Sequence, residues 1–406
     1  MPLLRDIKTF SGIVTSAFDR RRNQSEWDRF AEQRGPVEEN FGAAIFFPDG
    51  PVNVYQLRQW YEPMRHLAER RPVAVLVRNV STANLLKDEC PLPVLLQPQI
   101  GLTEQWLAEH SVGAVFYVNQ NIVNFRMMRF RDPAHIFISH GESDKDYMAS
   151  NQLKAYDHTF IAGQAAYDRI GRRLVDFDRE AHLRRIGRPQ VDVKHSGPAL
   201  PDDHRTVVLY APTWEGDRPS MQYSSLGSHA PGMLDVLLTT GQHRVVYRPH
   251  PRTGAFDPSF RELHDEVVRK IEAANEADPD ASHVVDTDSV FGWHLAAADV
   301  CVCDISAVAF DFLATGKPLL LTEPAAAAAE VDRDGLPGLL RTFRAEDASD
   351  VLTVIEAVRD GGDRERYGQI VEHYFGDTTP GVSLRTFLDV SSEIIDRRQK
   401  LATEAI

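Results

Sequence analysis

Short apolar runs of strand length alternate with helix-like polar segments along this chain, and the alternation starts twice. In the first half the runs are Ala43–Phe47, Val73–Val77, Val94–Gln97, Ala114–Val118, His135–Ser139 and His158–Ala162, with amphipathic stretches such as Val54–Arg70 and Leu102–His110 between them. In the second half they are Thr206–Tyr210, Arg244–Tyr247, His283–Val285, Val300–Cys303 and Leu319–Leu321. Helices are expected there at Gly232–Thr239, Phe260–Ala274, Val290–Ala297 and Ala307–Thr315. Runs of this length separated by helical periods predict mostly parallel sheets wrapped by helices. Lys194–Arg205 holds two prolines and no periodicity, which makes it the boundary between the halves.

The fold class expected is therefore α/β, with two facing Rossmann-like domains and a cleft between them. Ligands of such sheets sit beyond the carboxyl ends of the strands. Domain bounds of 1–195, 196–380 and a C-terminal helix at 381–406 follow. Leu384, Phe387, Leu388, Ile394 and Ile395 give that last helix an apolar face suited to packing back on the body. The first forty residues offer one helix, Gln24–Gln33, and Asp176–Leu183 reads as another.

Composition excludes several classes. Hydrophobic content of 43% and charged content of 26% are those of a globular protein. A net charge of −14 repels nucleic acid unless basic groups gather on one face. Arg20–Arg22 and Arg184–Arg188 are basic clusters without aromatic interleaving, so no nucleic-acid partner is expected. Cys301 and Cys303 alternate along one strand and read as small core residues in a reducing compartment. The first residues lack a signal-peptide pattern, and no run approaches the ~20 apolar residues of a membrane span. The location expected is cytoplasmic, with at most peripheral contact at the inner face of the cell membrane.

Four strand ends carry polar clusters. His140-Gly-Glu-Ser-Asp-Lys145 follows the strand at 135–139; a histidine there, with an ordinary pKa of about 6.5, can take a proton from a hydroxyl. Gly141 lets the chain turn sharply beside a ligand. Tyr210-Ala-Pro-Thr-Trp214 offers the Thr213 hydroxyl and the Trp214 face, and precedes a polar loop from Glu215 to Gly227. In Arg248-Pro-His-Pro251 the prolines hold His250, which serves either a structural turn or a phosphate joined by Arg248 or Arg252. Finally, Asp304 and Ser306 stand where a strand ends and a helix begins. They are either a turn residue and an N-cap, or part of an anion site. Asp299 and Asp304 flank a buried strand and do not make paired metal ligands, so no metal or cofactor is expected.

Taken in order, Tyr210-Ala-Pro-Thr-Trp, Arg248-Pro-His-Pro, the stretch Ala298–Phe312 and Gly316-Lys-Pro resemble the CDP-glycerol glycerophosphotransferases, the teichoic-acid polymerase family. His140-Gly-x-x-x-Lys145 and Tyr374-Phe-Gly-Asp377 resemble further segments of it. The resemblance covers His135–Arg385, most specifically Val207–Pro324. It implies a GT-B fold with an N-terminal acceptor domain and a C-terminal nucleotide-donor domain. The implied reaction transfers an alditol phosphate, glycerol phosphate first, from a CDP-alditol to a hydroxyl of a polymer or lipid-linked acceptor. CMP is released, as in synthesis of a teichoic acid or capsule.

By the same resemblance His140 is the general base, and His250 binds or polarises the donor phosphates. Thr213, Trp214, Arg248, Arg252, Asp304, Ser306, Ala307 and Asp311 form the donor site; Gly141, Glu142, Ser143, Asp144 and Lys145 form the acceptor site. The sequence departs from the family at Ala307, where a second serine is usual, and at Glu142 and Asp144, where small or neutral residues are usual. Two alternatives stand beside this reading: a GT-B glycosyltransferase using a UDP-, GDP- or CDP-sugar, or a related epimerase; and a non-catalytic nucleotide-binding homologue.

Overall fold

The computed structural model describes residues 3–37, 40–144, 146–287, 291–359 and 364–404. Two wholly parallel sheets organise them. The first contains β1 (Ala43–Phe47), β2 (Val73–Val77), β3 (Val94–Leu96), β4 (Ala114–Tyr117), β5 (Ala134–Phe137), β6 (His158–Ile161) and β7 (Leu183–Arg185), in the order β3-β2-β1-β4-β5-β6-β7. The second contains β8 (Thr206–Ala211), β9 (His243–Tyr247), β10 (Val284–Val285), β11 (Val300–Cys303), β12 (Leu319–Thr322) and β13 (Thr342–Phe343), in the order β10-β9-β8-β11-β12-β13. The chain is thus α/β with two Rossmann-like sheets.

Period-two alternation explains the layers. Ile45 and Phe47 enter one apolar layer of the first sheet with Val75, Phe116 and Met64, while Ala44 and Phe46 enter the other with Leu76, Val115 and Trp106. In the second sheet Leu209, Cys301 and Cys303 share one face, and Val208, Tyr210, Val300 and Val302 the other. Buried on both sides, such strands are apolar throughout. Cys301 and Cys303 are free and buried.

In each sheet the strand order reverses beside the first strand of its half. β1 lies between β2 and β4, and β8 between β9 and β11. Loops that leave neighbouring strands toward opposite faces open a crevice at such a point. The segments after β1, β4, β8 and β11 meet at one cleft, which fixes the site before any side chain is considered.

The last helix, Val382–Glu404, returns to the first sheet. Phe387 packs on Trp60 with ring centroids 5.3 Å apart, and Ile395 is fully buried. Burial of Phe387, Ile394 and Ile395, at about 1.5–3 kcal/mol each, outweighs the exposed ion pairs Arg70–Asp389 and Arg71–Asp396. A Cβ on Gly113 would lie 2.5 Å from the Ile395 carbonyl oxygen, so glycine permits this approach.

Several elements differ from the sequence reading. Asp176–Leu183 is helical only at Arg179–His182, and Leu183 opens β7. One buried leucine in a charged edge strand leaves no alternating pattern to read. The two-residue β13 gave no signal for the same reason. The first helix runs Leu3–Arg34, and Val54–Arg70 divides into Val54–Arg58 and Tyr61–Ala68. The helix expected at Val290–Ala297 is described as Trp293–Ala297, its expected start lying outside the described residues. Among the described residues no helix is long and apolar enough to cross a membrane.

Candidate functional site

The cleft between the sheets has a volume of about 630 Å³ and draws its lining from seven strand ends. Asp49–Gln59 follow β1, Asn119–Asn121 follow β4 and His140–Ser143 follow β5. From the other half come Ala211–Trp214 after β8, Arg248–Pro251 after β9, Thr287 after β10 and Ser306–Val308 after β11. All four clusters read from the sequence therefore border one cavity.

Tyr55, which the sequence reading did not single out, contacts both histidines. Its ring centroid is 6.1 Å from that of His140 and 5.9 Å from that of His250, in T-shaped geometry with both. His140 stands on a held turn. Ser139 adopts φ 53°, a left-handed conformation costly for a residue with a side chain. Its hydroxyl donates to the Gly141 carbonyl at 3.0 Å, and Trp60 Nε1 donates to its carbonyl. Arg188 Nη2 donates to the His140 carbonyl at 3.2 Å, so three contacts restrain the backbone here.

On the opposite wall, Arg252 N–H donates to His250 Nδ1 at 3.1 Å. An accepting Nδ1 places the hydrogen of the neutral ring on Nε2, which makes that nitrogen a donor suited to a phosphate oxygen. The Arg252 guanidinium lies 3.8 Å over the Trp214 ring, whose centroid is 6.4 Å from that of His250. Glu215, buried, accepts from Gly254, Phe256 and Asp257 N–H at 2.9, 2.7 and 3.0 Å and so clamps the loop after Arg252. Burial opposes its charge, but these amides outweigh burial and hold its pKa below the usual glutamate value. Arg248 lines the cleft while pairing with Asp286 at 3.1 Å, and His294 and Trp293 bond the same carboxylate.

Ser306 occupies the N-cap position of the helix Ala307–Leu313, yet its side chain makes no capping bond. It is 7% exposed, lines the cleft and has no hydrogen-bond partner for Oγ among the described residues. A buried hydroxyl left open costs about 1–3 kcal/mol, so a ligand oxygen is its natural partner. Ser143 Oγ is likewise buried, beside the cleft and without a described partner.

The acidic residues named from the sequence have buried partners within the protein. Asp304 is fully buried: it accepts from Thr213 N–H at 2.6 Å, Ser225 N–H at 3.1 Å and Thr322 Oγ1 at 2.6 Å. It ties the loop after β8 to the ends of β11 and β12, and does not line the cleft. Burial raises its pKa to about 6 despite these bonds. Asp311 is not among the residues that line the cleft and is paired with Arg188 Nε at 2.6 Å, both residues being buried.

Glu142 and Asp144, expected at the acceptor, flank Arg169 at 2.5 and 2.6 Å in a buried triad. Asp144 also accepts from Leu336 N–H at 2.7 Å and from the Tyr374 hydroxyl at 2.8 Å, so it fastens the first half to the second. Their partners lie far off in sequence, which is why the residues looked like unpaired ligands. Lys145 lies outside the described residues.

Residues 138–333 match the family described as CDP-Glycerol:Poly(glycerophosphate) glycerophosphotransferase. That stretch, just under half of the chain, is similar to that family. The whole chain is similar to the wall teichoic acid polymerase TagF, with a TM-score of 0.56, 14% identity and 98% of both chains covered. It is also similar to a putative UDP-N-acetylglucosamine 2-epimerase from Listeria monocytogenes (TM-score 0.55, 12% identity, 89% of this chain and 98% of that one). For the S. aureus MnaA–UDP co-structure the values are 0.53, 12%, 87% and 96%. At such identity the structures establish the shared fold. No curated protein matches the chain significantly.

Proposed function

We propose that the cleft transfers an alditol phosphate, with glycerol phosphate the first candidate, from a CDP-alditol to an acceptor hydroxyl, releasing CMP. The observation that carries this reading is the pair His140 and His250, which opposite halves bring into contact with one tyrosine ring. The family match over residues 138–333 supports CDP-glycerol as donor, and a TagF variant of the same fold has been soaked with CDPG.

His140, on the first half, removes the proton of the acceptor hydroxyl as its oxygen attacks the β-phosphorus of the donor. The P–O bond to the CMP leaving group breaks, and CMP departs with that oxygen. His250 Nε2–H, Arg248 and Ser306 Oγ donate to the phosphate oxygens, whose charge shifts toward CMP as the bond breaks. Trp214, backed by Arg252, supplies a flat apolar face beside them. Asp304 and Asp311 act as scaffold for these groups. The glycerol-phosphate product belongs to a surface polymer such as a teichoic acid or capsule, and the protein works in the cytoplasm or at the inner membrane face.

The epimerase-like relatives keep a second reading in view, sugar transfer or epimerisation from a nucleotide sugar. Product analysis separates the two: incubation with CDP-glycerol releases CMP under the first reading, whereas a UDP-sugar yields UDP under the second.

A further inference from the structure

Gly141, Glu142 and Ser143 line the cleft although Glu142 and Asp144 are paired with Arg169, and another polar cluster stands in the same first-half wall. Asp49, Gln56, Asn119 and Asn121 all line the cavity. Asn121 Nδ2 donates to Asp49 Oδ1 at 2.9 Å, and Asn119 Nδ2 donates to Asp49 Oδ2 and, at 2.8 Å, to Gln56 Oε1. The loop that carries Asp49 is itself pinned, since Thr82 Oγ1 donates to the Asp49 carbonyl at 2.8 Å. Gln56 sits next to Tyr55 on the helix Val54–Arg58, which places the cluster beside the two histidines.

We infer that Asp49 and Asn119, held by Gln56 and Asn121, form the acceptor subsite, and that it takes a polyol terminus carrying adjacent hydroxyls. This inference rests on the transferase reading above. Each carboxylate oxygen of Asp49 accepts one amide N–H, and each can accept about one bond more. Asn119 spends its amide hydrogens on Asp49 and Gln56, and its Oδ1 has no partner among the described residues. The wall therefore presents acceptors, which pair with hydroxyl donors.

Charge decides the class of ligand. No cation pairs with Asp49 among the described residues, and Arg58 on the same wall is engaged by Glu89 at 2.7 Å, so the cluster around Asp49 disfavours a phosphate. The opposite wall carries Arg248, His250 and Ser306 and attracts one. The cleft is thus divided: phosphate to the second half, hydroxyls to the first, with Tyr55 and the histidines at the seam.

The test uses the full chain with CDP-glycerol as donor and glycerophosphoglycerol as acceptor probe, with CDP-glycerol affinity measured separately by calorimetry. Asp49→Asn is expected to raise the acceptor KM about ten- to a hundred-fold, the loss that accompanies a bond to a charged group, and to leave CDP-glycerol affinity unchanged. Gln56→Ala, at a half-buried position, serves as a second variant if Asp49→Asn fails to fold, and shifts the same constant in the same direction. An unchanged acceptor KM in a folded variant overturns the subsite, as does a parallel loss of CDP-glycerol affinity. Absence of CDP-glycerol binding by the unaltered protein overturns instead the transferase reading beneath it.

Discussion

Gly141 and Ala307 meet across the cleft so closely that a Cβ on Gly141 would lie 2.8 Å from that of Ala307. The two halves touch here through a hydrogen on one side and a methyl on the other. The small residue at 307 thus borders the turn that carries His140. Gly141→Ala should push the halves apart, with an overpacking cost of about 1–3 kcal/mol. Ala307→Gly in the same chain should recover most of the lost activity, less the helix cost of glycine. A double-mutant cycle on CMP release and on urea unfolding reads the coupling.

Arg188 joins Asp311 on one side to Gln59 and the His140 carbonyl on the other. Asp311→Ala leaves a buried guanidinium unpaired and should cost about 3–5 kcal/mol in denaturant unfolding. Replacing both partners, as Arg188→Met with Asp311→Leu, should restore most of that stability, because the buried charge is gone. It should not restore CMP release, since the His140 carbonyl loses its donor. Equal recovery of stability and activity would remove Arg188 from the positioning of His140.

The alternation that defines both sheets was legible because strands buried on two faces must be apolar and short. Pairing between distant residues was not. Asp311 and Arg188 are 123 positions apart, and Asp144 and Tyr374 are 230 apart, so acids that serve as interior ties read as ligands. The four strand-end clusters were visible as chemistry-bearing types next to glycine and proline. Tyr55, Asp49 and Asn119 were not, since a tyrosine on an amphipathic stretch and an asparagine in a loop carry no local signal. The order reversal beside β1 and β8, which a search for switch points would seek, is what brings them to the cleft.

Asp304 should make stability depend on pH. Burial raises its folded pKa to about 6 from the usual 3.8, so the folded state holds the proton more tightly than the unfolded chain. Its favourable contribution is full below the unfolded value and is lost as pH rises through the folded one, a change on the order of 3 kcal/mol. Asp304→Asn can keep the three bonds: its oxygen accepts from Thr213 and Ser225, and its amide donates to Thr322 Oγ1. The variant should be more stable than the parent near neutral pH and show a flatter unfolding curve between about pH 4 and pH 6. A variant less stable at pH 7, with the slope unchanged, would contradict the assignment of the buried charge.

If His140 and His250 act on one CDP-alditol in one cleft, CMP release from CDP-glycerol in the presence of a polyol acceptor reports their joint action. The unaltered protein should release CMP, and His140→Ala should lower the rate roughly 10²- to 10⁴-fold, the expected cost of removing a general base. His250→Ala should lower turnover by about 10²- to 10³-fold, as loss of a donor to a developing charge does. Undiminished CMP release by both variants, or release of UDP from a UDP-sugar with CDP-glycerol untouched, would contradict that joint action.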